Sequence, residues 1–183
     1  MNLYRKASEK YRPEKIKVLF IAESPPFFES EDKRSYFYFE NNPGKDMLFA
    51  TLMKACYGID YTKNKGNKIK LLKRLMDDGI FLIDSVKYPI NRDERQETSN
   101  KKREEIIQNE IPNLLNELNK LHIGSETKII LIKETVFNSL YSMLKQRGYN
   151  VLNKDKIGFP RYHKDKDVVK EIRNLLEINN HKS

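Results

Sequence analysis

At 183 residues with 38% hydrophobic content, the chain can bury one core and not two, so a single domain over 1–183 is expected. One cysteine, Cys56, and scattered histidines exclude a disulfide, an iron–sulfur cluster and a dedicated zinc site. No apolar run has the length of a membrane span and the N-terminus lacks a secretory core, so a cytoplasmic protein with no cofactor and no membrane partner is expected.

The formal charge of +9, from 35 Lys and Arg against 26 Asp and Glu, favours a polyanionic partner such as nucleic acid. Lysine-rich helix faces that meet only water give the same balance. Along the chain, Ile16 to Ala22 is apolar on both faces, as a central parallel strand must be, and it breaks off at Glu23, Ser24, Pro25 and Pro26. Open α/β sheets present reactive groups on such stiffened turns, which makes Glu23 the first candidate site residue. A residue that merely opens a solvated loop would look the same. Next come four consecutive aromatics, Tyr36, Phe37, Tyr38 and Phe39, in a charged loop. They suit base stacking, which contributes about 1–3 kcal/mol per base, or packing against the sheet.

Met47, Leu48, Leu52, Met53, Ala55 and Cys56 recur at helical spacing, with Gly58 as the stop; Ile69, Leu72, Leu75 and Met76 repeat the pattern up to Gly79. Ile80 to Ile83 reads as a buried strand ending in a second carboxylate, Asp84. After an irregular loop, Thr98 or Ser99 caps a helix that Pro112 must kink or split. Lys128 to Ile132 is the third apolar strand, Phe137 to Leu144 a helix ending at Gly148, and Tyr149 to Leu152 a fourth strand. The segment IGFPRYH leads into a last helix with Val168, Val169 and Ile172 inward. Alternation of this kind implies an α/β fold with a parallel sheet and helices on both faces.

Ligands bind such folds beyond the carboxyl ends of the strands, where AESPP, IDSVKYPIN, IKET and IGFPRYH would meet. Carboxylates and lysines together there permit general acid–base work; Lys87 or Lys133 taken singly is more often half of a structural ion pair.

These segments resemble the uracil-DNA glycosylase superfamily. FIAESPP is similar to the first motif, Gly-Glu-Ala-Pro-Gly in the iron–sulfur branch, and FLIDSVKYPIN to the segment in which a strand ends in Asn-Val-Val-Lys. GFP before the last helix stands where the family has His-Pro and a DNA-inserting loop. The resemblance implies a three-layer α/β/α fold with a four-stranded parallel sheet ordered 2-1-3-4. It implies hydrolysis of the N-glycosidic bond of a flipped, damaged base such as uracil, by a monomer acting on single- or double-stranded DNA. Carried over, Glu23 and Asp84 are catalytic, and Phe37, Tyr36, Tyr38, Ser24 and Pro25 bind the base. Lys87, Lys133, Pro160, Arg161 and Lys164 then contact DNA. The chain departs from the pattern at Asp84, which replaces a base-reading asparagine, and at Phe159, which replaces the histidine; the cluster cysteines are missing too. An ionised aspartate offers acceptors only, so the base must present donors or Asp84 must stay protonated. His163 is the candidate substitute for the missing histidine, or a solvated loop residue. A binding module without catalysis, and an enzyme of free nucleosides or nucleotides, are the competing readings; no glycine-rich phosphate loop supports the latter. The leading reading places Glu23, Asp84 and the Tyr36 to Phe39 platform around one pocket.

Overall fold

A computed structural model describes residues 3–28, 30, 35–41, 46–62, 67–90, 98–160 and 165–178. The elements run α1 (Leu3–Glu9), β1 (Val18–Ala22), α2 (Met47–Tyr57), α3 (Lys68–Asp77), β2 (Ile80–Asp84), α4 (Asn100–Asn109), α5 (Ile111–Lys120), β3 (Lys128–Leu131), α6 (Glu134–Gln146) and α7 (Asp165–Leu175). The sheet is parallel and three-stranded, in the order β2-β1-β3. Leu19, Phe20, Ile21, Ile129, Ile130 and Leu131 are almost completely buried, which is why the strands are apolar on both faces.

The sequence boundaries follow from identifiable stops. Gly58 ends α2 at φ 70°, its amide donating to the Lys54 carbonyl while the Ile59 amide donates to the Met53 carbonyl, the usual left-handed C-cap. Gly79, at φ 78°, also passes so close to its neighbours that an added Cβ would lie 2.8 Å from the Lys15 carbonyl oxygen. Ser99 caps α4 by accepting from the Lys102 amide, and Pro112 sits in the first turn of α5, where its missing N–H has no partner to lose. The expected kink is thus a break at Glu110 between two helices.

A fourth full strand and the complete 2-1-3-4 order are not present among the described residues. Val151 bridges Ile129 and Ile157 bridges Ile132, both parallel, but the rung between them is made by a side chain. Asn153 accepts from the Leu131 amide at 3.0 Å and donates to the Leu131 carbonyl at 3.3 Å, as a neighbouring peptide would. The ladder therefore continues without the backbone remaining extended.

Two features bear on the site. The short α1, lacking an apolar stripe, is joined to the turn after β1 by the Tyr4 hydroxyl, which donates to the Pro26 carbonyl at 2.7 Å. The edge of β2 is covered by Tyr38, whose hydroxyl donates to the Leu82 carbonyl at 3.0 Å and accepts from the Leu82 amide at 2.8 Å.

Candidate functional site

Beyond the strands, the segments carrying Glu23 and Asp84 continue to run together. The Ser85 amide donates to the Ala22 carbonyl at 2.8 Å and the Val86 amide to the Glu23 carbonyl at 2.9 Å. In register, however, Asp84 pairs with Ala22, so Glu23 lies one step further along. Side chains alternate across a sheet, and one step sends them to opposite faces. The expected single pocket is consequently divided.

On one face, Glu23 is buried and saturated. Its Oε2 receives Arg103 of α4 and, at 2.7 Å, Lys133; its Oε1 receives the Thr135 hydroxyl at 2.6 Å. Lys133, at the junction of β3 and α6, has φ 88° and ψ 140°, a conformation that costs a non-glycine residue about 1–3 kcal/mol. It is held there by its amide on the Ile157 carbonyl, its carbonyl under the Phe137 amide, and its ammonium on Glu23. Charge compensation of this quality makes Glu23 a fixed anchor between β1, α4 and α6 rather than an available base.

On the other face, Asp84 opens into a cavity of about 320 Å³ between β2, α1 and α5. Pro25, Tyr36 and Lys87 line it too, with Arg5 and Glu9 from α1 and Asn113, Asn116, Glu117 and Lys120 from α5. The Tyr36 hydroxyl donates to Asp84 Oδ2 at 3.4 Å, and Lys87 bridges the Asp84 carbonyl and the Glu117 carboxylate. Burial raises the Asp84 pKa to about 7 against the opposing pull of Lys87 and Tyr36, with Glu117 and Glu23 adding repulsion. Burial, then the Asp84 charge, also pushes the Tyr36 phenol well above its ordinary range, so Tyr36 remains a donor.

The aromatic run serves mostly the core. Phe37 is 4% exposed and packs edge-on against Phe49 at 5.3 Å between centroids; only Tyr36 of the four reaches the cavity. A buried Lys68–Asp46 pair at 2.8 Å fixes the run's start, since the same ammonium donates to the Tyr36 carbonyl at 3.2 Å. Among the described residues the exposed aromatics are instead Phe27, Tyr88 and Phe159, each in a segment leaving the carboxyl side of a strand or bridge. Ser24 borders Glu23 on the turn, half-buried, and Pro160 is buried beside exposed Phe159. Arg161, His163 and Lys164 lie outside the described residues.

Sequence reasoning passed over Arg103 and Thr135, whose link to Glu23 no spacing reveals. It also passed over the α5 wall, although Asn113, Asn116, Glu117 and Lys120 recur at i, i+3, i+4 and i+7. That pattern was readable, but a solvated face produces it equally. Among the described residues no group of three or more His, Cys, Asp or Glu side chains could hold a metal, and no helix is long and apolar enough to cross a membrane. Compared with known proteins, the chain matches no protein-family model, no curated protein and no solved structure.

Proposed function

We propose that this chain is a base-excision glycosylase of the uracil-DNA glycosylase type, which takes a flipped base into the Asp84 cavity and hydrolyses its N-glycosidic bond. The observation that carries the reading is Asp84 itself, a carboxyl poised near pH 7 at the end of β2, inside a cavity of about 320 Å³ that suits one base. Protonated, Asp84 donates to the departing base; ionised, it accepts from the edge of a base that presents N–H groups. In the hydrolysis a water oxygen bonds to the sugar C1′, the C1′–N bond breaks with its electron pair going to the base, and Asp84 supplies the base's proton. The water's proton restores Asp84. The Glu117 carboxylate, held by Lys87 on the same cavity, stabilises the cationic sugar. Exposed Phe27, Tyr88 and Phe159 on the strand-end segments offer rings to unstacked bases.

A second reading, a nucleic-acid-binding module without catalysis, is favoured by one fact: Glu23, the most catalytic-looking residue of the sequence, has its carboxylate occupied by Arg103, Lys133 and Thr135. Single- and double-stranded oligonucleotides carrying uracil, hypoxanthine, xanthine or alkylated bases separate the two. Alkali-sensitive abasic sites support the glycosylase; salt-sensitive binding with no abasic product supports the module. Neither binding nor cleavage sinks both.

A further inference from the structure

Away from Asp84, α2 and α7 enclose a second, shallow cavity of about 530 Å³ that shares no lining residue with the first. Lys54 of α2 and Lys166, Lys170, Arg173 and Asn174 of α7 line it over an apolar floor that includes Val169. The α7 residues fall at i, i+4, i+7 and i+8, so the helix turns one face of cations toward Lys54. None of the described residues lining the cavity is acidic. Arg173 is fixed in place by its Nη1, which donates to the Ala55 carbonyl at 3.3 Å, while its Nε is buried without a hydrogen-bond partner.

We propose that this cavity is a binding site for linked phosphate groups, supplied by free polyphosphate or by a nucleic-acid backbone. Like charges gathered on one face repel, and an anion relieves the repulsion only in proportion to its own charge. A carboxylate brings one charge, whereas linked phosphates bring several within the span of two helical turns. The positive charge of Arg173 and the point charges of the lysines match the oxygens of adjacent phosphates. Asn174 adds a neutral donor at the rim. The site is independent of the glycosylase reading and stands without it.

The test uses the full chain, inorganic tripolyphosphate and a short fluorescent single-stranded oligonucleotide, with Lys166→Gln/Lys170→Gln as the variant, since both lysines are exposed. Tripolyphosphate is expected to bind wild type in calorimetry and to raise its melting temperature. The double variant should bind roughly tenfold more weakly while melting, unliganded, like wild type. If tripolyphosphate displaces the oligonucleotide and the variant has a shallower salt dependence of oligonucleotide binding, the backbone is the source. If oligonucleotide binding is the same in the variant, free polyphosphate is the source. Absence of tripolyphosphate binding to wild type, or equal binding by a folded double variant, overturns the proposal.

Discussion

The phenol of Tyr36 donates to the carboxyl of Asp84 at 3.4 Å, so the first ring of the aromatic run rests on the last residue of β2. This contact joins the loop after β1 to the end of β2 and forms the inner wall of the cavity.

Asp84 should make stability fall with rising pH. Its folded pKa of about 7 lies above the ordinary aspartate value near 3.9, so between those values the folded chain holds a proton that the unfolded chain has lost. The favourable contribution is complete below about pH 4 and is lost as pH rises through about 7, a total of roughly 4 kcal/mol. Urea unfolding of wild type and Asp84→Asn across this range should show curves that separate progressively. Parallel curves would mean that Asp84 titrates normally.

Glu23→Ala should destabilise by about 3–5 kcal/mol, because it removes the buried carboxylate that pairs with buried Arg103 and half-buried Lys133. Thr135→Val, which strips one donor from the carboxylate, should cost about 1–3 kcal/mol. Denaturant midpoints measure both. A Glu23→Ala protein as stable as wild type would contradict the anchor role.

Phe37→Ala should cost about 3–5 kcal/mol through the void beside Phe49, while Phe37→Leu is tolerated and leaves base handling unchanged. Tyr38→Phe should cost about 1–3 kcal/mol by leaving the Leu82 peptide unpaired at the sheet edge. Loss of nucleic-acid affinity in a folded Phe37→Leu protein would return the ring to a stacking role.

Asn153→Ala should cost about 2–5 kcal/mol, since both polar groups of Leu131 lose their partner on that side. Faster amide exchange at Leu131 in the variant would locate the loss; unchanged exchange would show that the side-chain rung is dispensable.

Much of the architecture was readable because its causes are local. The strand runs are apolar since both faces are covered, and Gly58, Gly79 and Gly148 all adopt positive φ at helix ends. What escaped has non-local causes. Arg103 meets Glu23 from 80 residues away and Thr135 from 112, distances over which no pattern operates. The division of the site turns on one step of register between Ala22↔Asp84 and Glu23, which only strand pairing reveals. The expected fourth strand is present only as two parallel bridges because an asparagine side chain takes the place of a peptide between them, and α1 escapes the sequence pattern because it is short and has no fully buried residue.

The central claim is that Asp84 acts on a base, and single-turnover release of abasic sites measures it most directly. Wild type should open the glycosidic bond of at least one damaged base, faster below pH 7 than above it as Asp84 loses its proton. Asp84→Ala should fall by about 10²–10⁴-fold while keeping its fold and its affinity for undamaged DNA. A folded Asp84→Ala protein that excises bases at the wild-type rate would contradict the account.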